Sequence, residues 1–111
     1  MQDTLARIKM INPQVNAIIS LREEADLLVQ ATQADKSSRT GWMHGLPIAI
    51  KDLHDVKDMP SSKGSAIFAD YIAEKDDIAV ARVRASGAII IGKTNTPEFG
   101  LGSHTYNPVH G

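Results

Sequence analysis

Two lysines follow apolar runs that are typical of buried strands, and a lysine in such a position can act as a base. Lys51 follows the run at residues 46–50 (LPIAI), and Lys93 comes just after the run at residues 88–91 (AIII). In open α/β sheets, ligands collect beyond the carboxyl ends of the strands, where we expect both lysines to lie. A partly desolvated lysine favours its neutral form, which can take the proton of a serine hydroxyl. Lys51 is the candidate general base, because an apolar run precedes it and a long loop rich in turn-forming residues follows it. We expect this setting to place Lys51 in a partly desolvated pocket.

The segment PSSKGS at residues 60–65 offers the nearest serine hydroxyls. Ser62 and Lys63 are adjacent, so they lack the three-residue spacing that places a serine and a lysine on one helix face in β-lactamase-like sites. Pro60 and Gly64 also favour a loop over a helix. The segment contains Ser61, Ser62 and Ser65. We predict that these serines are turn residues or part of a pocket wall.

No metal site is predicted. The four histidines lack a paired spacing such as H-x-x-x-H, and the chain contains no cysteine. Asp52, Asp55 and Asp58 alternate as calcium ligands do, but their loop lacks the glycine and the terminal glutamate of an EF-hand loop. We expect a solvated acidic loop instead.

The letters GAIIIGKT at residues 87–94 fit the phosphate-binding pattern G-x-x-x-x-G-K-[ST]. A phosphate-binding loop needs a strand before its first glycine, a flexible backbone at the variable positions and a helix that begins at its lysine. Here a predicted helix precedes Gly87, and three isoleucines at the variable positions favour an extended strand. Because amides paired in a sheet cannot converge on phosphates, we interpret the match as accidental and expect no bound nucleotide.

The candidate residues require a strand, a helix and a second strand to position them. Residues 46–51 and 88–91 are predicted to be buried strands, with a helix at residues 76–86 between them and Gly87 as its C-cap. Such a βαβ unit has parallel strands joined by a right-handed crossover. The carboxyl ends of both strands then lie at one edge of the sheet, beside Lys51.

Further elements are predicted on both sides of this unit. A helix begins near Asp3 and is ended by Asn12 and Pro13, a brief strand covers residues 16–20, and an amphipathic helix covers residues 21–35. After the unit, the triplet Thr-Pro-Glu at residues 96–98 indicates the start of another helix. The fold class is α/β, with a helical start at about 3–37, the βαβ portion at about 46–93, and a short helix with a tail at 96–111.

Composition indicates a soluble globular protein. The 111 residues suffice for one small domain and are too few for two. Twelve basic and thirteen acidic side chains give a net charge of −1, which predicts no nucleic-acid partner and no membrane partner. The sequence lacks cysteine, a signal-like amino terminus and an apolar run of membrane-spanning length, so the expected location is the cytoplasm.

Several segments together resemble the amidase signature family of serine hydrolases. They occur in the family's order and approximate spacing, and they cover nearly the whole chain. The segments are NPQVNAII at 12–19, HGLPIAIKD at 44–52, SSKGSAIF at 61–68, DDIAVARVRASGAIIIGKTNTPEFGLG at 76–102 and NPVHG at 107–111. The resemblance implies the N-terminal portion of the amidase signature fold, in which the βαβ unit belongs to a larger mixed sheet covered by helices.

The resemblance also implies a chemistry. Members of the family hydrolyse or transfer amide groups with a Ser–cis-Ser–Lys triad, without a metal or an organic cofactor. The resemblance places the triad lysine on Lys51, where it takes a proton through the cis serine from the nucleophilic serine. Lys93, Thr94 and Asn95 fall in the family's G-K-T-N segment and are expected to support the site structurally. The expected partner is a small-molecule amide substrate.

Neither serine of the triad is assigned by the resemblance. In the family both come from a glycine- and serine-rich segment after the NP…G stretch, and no residue of this sequence matches them. We therefore expect residues 1–111 to be the N-terminal fragment of a single amidase domain and to be inactive alone. An exposed sheet edge or apolar face then favours a homo-oligomer.

Two alternatives to a stand-alone amidase remain. One is the A-type subunit of a glutamyl-tRNA amidotransferase, whose members more often carry an acidic residue in place of Pro97 and a Met-Gly pair near Leu101 and Gly102. A stand-alone amidase fits these positions better. The other alternative is a non-catalytic interaction module. The sequence does not indicate which amide would be the substrate.

Overall fold

The computed structural model describes all 111 residues, which form a small mixed sheet with helices on it. In chain order the elements are α1 (Gln2–Val15), β1 (Ile18–Leu21), α2 (Glu24–Lys36), β2 (Pro47–Lys51), α3 (Ile78–Ala85) and β3 (Ile89–Thr94). Short 3₁₀ turns cover Ala66–Phe68 and Glu98–Gly100. The predicted α/β class is confirmed. None of the helices has the length and apolar character needed to cross a membrane.

The sheet has the strand order β1-β3-β2, so β3 lies in its centre. β2 and β3 are parallel and α3 lies between them in the chain, which confirms the predicted βαβ unit. β1 pairs antiparallel with the opposite side of β3. The outer side of β2 therefore has no partner strand, and β2 is an edge of the sheet.

Apolar side chains form two clusters, both of which include residues of β3. One cluster joins β3 to α1 and α2 and consists of Leu5, Leu27, Ile89 and Ile91. The other joins β2 and β3 to α3 and to the loop after β2, and it consists of Ile50, Val56, Met59, Val80 and Ile90. Burial on both faces explains why β3 reads as a continuous apolar run instead of an alternating one.

A β-bulge in β3 decides the direction of Lys93. Two successive residues of β2 pair with Ile90 and with Gly92, so Ile91 is an extra residue on β3. One extra residue reverses the alternation of faces along the rest of the strand. Lys93 consequently pairs with Ile50, and its side chain points to the face that packs on the loop after β2.

Gly92 allows β1 to lie close to β3 beside this bulge. A Cβ atom at Gly92 would collide with the carbonyl oxygen of Ser20, which belongs to β1. The glycine of the G-K-T letters is thus explained by a close approach of two strands. The whole triplet lies in β3, so its backbone is extended and cannot form a phosphate-binding loop.

The predicted end of the first helix was wrong. α1 continues through Pro13 to Val15, where Asn16 caps it in a left-handed conformation with φ 48°. Proline removes one hydrogen bond, but here it lies in the last turn. The side chain of Asn12 bonds both the N–H and the carbonyl oxygen of Ile18, which holds the helix end against β1.

Two predictions near the end of β3 were also wrong. The strand was expected to end at residue 91, yet it extends to Thr94, so Lys93 lies inside the strand. The helix expected from residue 96 is only the 3₁₀ turn Glu98–Gly100. It stops there because Phe99 has a left-handed backbone, with φ 50° and ψ 21°, which an α-helix cannot contain.

Candidate active site

Lys51 is the last residue of β2 and lies at the carboxyl edge of the sheet, as predicted. It pairs with Thr94 of β3, and its carbonyl oxygen accepts a hydrogen bond from the N–H of His54, which turns the chain away from the sheet. Its side chain is exposed. The partly desolvated surroundings that we expected for Lys51 are therefore not provided by residues 1–111. Its role as a base stays a prediction.

Lys93 is fully buried, and its ammonium group has three acceptors. Nζ donates to Asp52 Oδ1 at 2.7 Å, to the Pro60 carbonyl oxygen at 3.2 Å and to Ser61 Oγ at 3.3 Å. The exposed fraction is 0% for the side chain of Lys93 and 1% for that of Asp52. An ammonium whose protons are all accepted in this way holds no electron pair for a substrate proton. Lys93 was expected beyond the strand end, and the bulge instead points it into the interior.

Asp52 joins the sheet to the loop that follows it. Besides Lys93, its carboxylate accepts the N–H of Ser62 at 3.1 Å and the Ser62 hydroxyl at 2.6 Å. Its own N–H donates to the Thr94 carbonyl oxygen at 2.9 Å. The prediction of a solvated acidic loop was wrong for Asp52, because strand alternation after Ile50 points this side chain to the buried face. The one sequence signal was an acidic residue two positions after a buried isoleucine.

The serines of PSSKGS are buried, and each hydroxyl donates to a carboxylate. The pairs are Ser61 with Asp55 at 2.6 Å, Ser62 with Asp52 at 2.6 Å, and Ser65 with Glu98 at 2.7 Å. The bonds of Ser61 and Ser62 fold the loop on itself, which agrees with the expected turn residues, and the bond of Ser65 ties the loop to the 3₁₀ turn Glu98–Gly100. A hydroxyl that is buried and already donates to a carboxylate is not placed to attack a substrate.

Asp55 lies at the outer end of this polar network, and its pKa is below the ordinary value of 3.8. Burial alone raises the pKa of Asp55. Hydrogen bonds from Ser61 and Lys63, together with the positive charges of Lys63 and Lys93, outweigh the burial and lower it. The ion pair between Lys63 Nζ and Asp55 Oδ1 measures 2.9 Å. The network is therefore held together by charge as well as by hydrogen bonds.

The acid stability of the chain should reflect two such carboxylates. The pKa of Asp76 is also lowered, first by the hydrogen bonds from Arg84. A carboxyl whose pKa is lower in the folded state stabilises the fold above its unfolded pKa and loses this contribution as pH falls through the folded pKa. We predict that the free energy of unfolding declines below about pH 4, and that Asp55→Asn and Asp76→Asn each make the decline shallower. Urea unfolding followed by circular dichroism between pH 7 and pH 2 measures this; equal slopes in the parent and both variants contradict it.

The tail at residues 107–111 folds back against the end of β3. Asn107 donates to Asn95 Oδ1 at 2.7 Å and to the Thr96 carbonyl oxygen at 2.8 Å. Asn95 in turn donates to the carbonyl oxygen of Gly111 at 3.1 Å. Amide side chains thus hold the turn beyond Thr94, which is the partner of Lys51 in the sheet. Asn107 was not among the predicted site residues.

The two lysines differ in what they can do chemically. Lys93 is held inside the protein by three acceptors, whereas the ammonium group of Lys51 is free to contact a group brought to the edge of the sheet. No cluster of three or more His, Asp or Glu side chains is placed to hold a metal ion. The arrangement offers one exposed lysine side chain at the end of β2.

Comparison with known proteins gives matches along the whole chain. A family model described as Amidase matches residues 1–111. An indoleacetamide hydrolase from Bradyrhizobium diazoefficiens is 40% identical over 110 residues, which are 96% of this chain and 21% of that protein. The A-type subunit of a glutamyl-tRNA(Gln) amidotransferase from Alkaliphilus metalliredigens is 42% identical over 109 residues, or 96% of this chain and 22% of that protein.

Solved structures give the same result for the fold. A crystal structure described as an amidase superposes with a TM-score of 0.84 and 32% identity, covering 99% of this chain and 26% of the other. The agreement includes nearly every element described above. The chain thus spans about a fifth of the length of the curated relatives that it matches.

Proposed function

The chain belongs to the amidase family, and on that basis we propose that Lys51 is the catalytic base of an enzyme that hydrolyses carboxylic amides. The observation that carries the proposal is the position of Lys51, which ends β2 at the carboxyl edge of the sheet with an exposed side chain. The other lysine at this edge, Lys93, is buried and paired with Asp52. In open α/β sheets this edge is where ligands bind.

The proposed reaction uses two serines that lie outside residues 1–111. Neutral Lys51 accepts the proton of the nucleophilic serine through the cis serine, while the serine oxygen forms a bond to the amide carbonyl carbon. The carbon–nitrogen bond then breaks, and the amine or ammonia leaves with the proton that Lys51 returns. Water cleaves the resulting ester by the same proton path, which releases the carboxylate and restores the serine.

The exposure of Lys51 in residues 1–111 fits this proposal only if another part of the enzyme covers it. A lysine in bulk water is almost entirely charged near neutral pH, so a base needs partial desolvation or a positive neighbour. β2 is an edge strand, and its outer side is open for further structure beside Lys51. We propose that the part of the enzyme outside residues 1–111 supplies this cover together with the serines.

A chimaera tests the proposed function. Residues 1–111 replace the matched segment of the Bradyrhizobium indoleacetamide hydrolase, and the product is assayed for hydrolysis of indoleacetamide. We expect the chimaera to release ammonia and the 111-residue chain alone to release none. The intact hydrolase serves as the positive control. A chimaera that is folded by circular dichroism and inactive, beside an active control, contradicts the proposal.

The relatives support a second candidate, the A-type subunit of a glutamyl-tRNA amidotransferase. The identity to the Alkaliphilus amidotransferase subunit, 42%, is slightly higher than the 40% identity to the indoleacetamide hydrolase. We favour the stand-alone amidase because Pro97 and the pair Leu101-Gly102 differ from what amidotransferase subunits more often carry. A second chimaera, in which residues 1–111 replace the matched segment of the Alkaliphilus subunit, separates the candidates. If the chain comes from an amidotransferase subunit, this second chimaera supports amidation, whereas the indoleacetamide hydrolase chimaera does not cleave indoleacetamide.

We also propose that residues 1–111 self-associate when no further chain covers them. The outer side of β2 is unpaired, and large apolar side chains are exposed, including Ile67 at 79% and Leu101 at 81%. An unpaired strand edge and apolar surface both favour contact with a second copy. Light scattering at high concentration should give a mass above the 12.0 kDa of one chain. A mass that stays at one chain at every concentration contradicts self-association.

A further inference from the structure

A buried ion pair lies directly behind the lysine to which we assign the base. Asp52 is the residue after Lys51, and Lys93 pairs in the sheet with Ile50, the residue before it. We propose that the Asp52–Lys93 pair is a positioning element, which fixes the direction of the Lys51 side chain and the position of the loop after β2. This inference rests on the proposed function of Lys51.

The hydrogen bonds of the two residues reach β3 and the loop after β2. Asp52 is tied to β3 through its N–H and the Thr94 carbonyl oxygen at 2.9 Å. Its carboxylate holds the N–H of Ser62, ten residues along the loop, at 3.1 Å. Lys93 holds the carbonyl oxygen of Pro60 at 3.2 Å. The strand end that carries Lys51 and the loop that passes it are thus fixed to one buried pair of charges.

The bulge at Ile91 makes this arrangement possible. Without the extra residue, Lys93 would fall on the face of Ile89, where the side chains pack against α1 and α2. With it, Lys93 lies on the same face as Asp52, and Lys51 lies on the opposite face. Bulges are frequent next to active sites because they redirect a side chain in this way.

A purely stabilising role explains the pair less well. Replacing a buried ion pair by apolar side chains of similar volume is often neutral or stabilising, so stability alone does not require charges here. Two apolar side chains cannot replace the bonds to the Ser62 N–H and the Pro60 carbonyl oxygen. Those bonds set the geometry of the loop. No buried polar side-chain atom of the chain lacks a hydrogen-bond partner. The charges are therefore explained by their role in placing the strand end and the loop.

The first arm of the test uses the 111-residue chain. Trace acetylation with an N-hydroxysuccinimide ester is mapped by mass spectrometry under native conditions, with the exposed Lys75 as the reference. We expect Lys51 to react as fast as Lys75 and Lys93 to react at least about 10²-fold more slowly, because its reaction requires opening of the fold. A Lys93 that reacts as fast as Lys75 overturns the proposal, whatever the activity of the enzyme.

The second arm measures kinetics in the indoleacetamide hydrolase chimaera. Asp52→Asn should lower kcat by about 10²-fold and change KM by less than about threefold, since a misplaced base loses reaction rate while binding persists. Asp76→Asn removes a carboxylate that bonds Arg84 far along the loop, and it should retain the parental kcat. If Asp52→Asn does not fold, Ser62→Ala removes one bond to Asp52 and should lower kcat about tenfold.

The outcomes separate this proposal from the proposed function. If Lys51→Ala abolishes activity while Asp52→Asn and Ser62→Ala retain the parental kcat, the positioning role is overturned and the base stands. If Lys51→Ala retains activity, the proposed base is wrong, and the acetylation result for Lys93 still tests the buried pair.

Discussion

Replacing Lys51 by alanine in the indoleacetamide hydrolase chimaera is expected to lower kcat by about 10⁴-fold, because members of a catalytic triad act as a unit. The loss should appear in kcat and in kcat/KM alike, since the proton transfer is made in the transition state and not in substrate binding. The exposed side chain of Lys51 is not part of either apolar cluster, so its removal should leave the chimaera folded. Steady-state kinetics on indoleacetamide at several pH values measures the effect.

Lys75→Ala is the matched control for this substitution. Lys75 is also an exposed lysine in the part of the chain between β2 and α3. Its removal changes the net charge by the same amount, so a general charge effect would lower both rates equally. We expect Lys75→Ala to retain the parental kcat. A Lys51→Ala enzyme that keeps more than about a tenth of the parental kcat contradicts the assignment of the base.

The second large effect concerns stability. Lys93→Met should destabilise the 111-residue chain by about 3–5 kcal/mol, because it leaves the Asp52 carboxylate buried without a counter-charge. A typical domain has only about 5–15 kcal/mol of stability, so the variant should be partly unfolded near 37 °C. Urea unfolding followed by circular dichroism measures the change. Lys75→Met, which removes an exposed charge, should stay within about 0.5 kcal/mol of the parent.

A double variant separates the pair from its parts. Asp52→Leu combined with Lys93→Met removes both charges and fills the space with apolar atoms, which is often neutral or stabilising. We expect the double variant to recover most of the stability that Lys93→Met loses, so that it costs less than the sum of Asp52→Leu and Lys93→Met measured separately. Additive losses in the double variant would show that the two side chains contribute independently.

Local sequence signals predicted the central unit of the fold. The apolar run before Lys51, the helix before Gly87 and the isoleucine run after it indicated two parallel strands and their crossover helix. These signals are local, because an apolar run bounded by turn residues specifies a buried strand whatever lies beside it. The position of Lys51 at the carboxyl edge of the sheet followed from the same signals.

The direction of Lys93 could not be predicted in this way. A strand buried on both faces shows no alternation, so the sequence contains no mark of the extra residue at Ile91. Its burial also depends on Asp52, which is 41 residues away in the chain. Because the sequence reveals neither the bulge nor this partner, a lysine after an isoleucine run is predicted to lie at the strand end in contact with water.

The left-handed conformation of Phe99 could not be predicted from the sequence either. Thr96, Pro97 and Glu98 are each favoured at a helix start, and the local preference is for a helix. In the structure the N–H of Phe99 donates to the carbonyl oxygen of Lys63 at 2.8 Å. A contact between distant segments thus overrides a local preference, which is the common reason for such failures.

Chemical rescue of Lys51 tests the central assignment most directly. The 111 residues contain no cysteine, so Lys51→Cys introduces one thiol, which 2-bromoethylamine converts into a side chain that ends in an amine at nearly the length of lysine. The Lys51→Ala chimaera, treated in the same way, controls for cysteines elsewhere in the protein. If Lys51 supplies the base, treatment should raise kcat of the Lys51→Cys chimaera by at least about 10²-fold and leave the Lys51→Ala chimaera unchanged. An amine restored at this position without any recovery of activity would contradict the assignment.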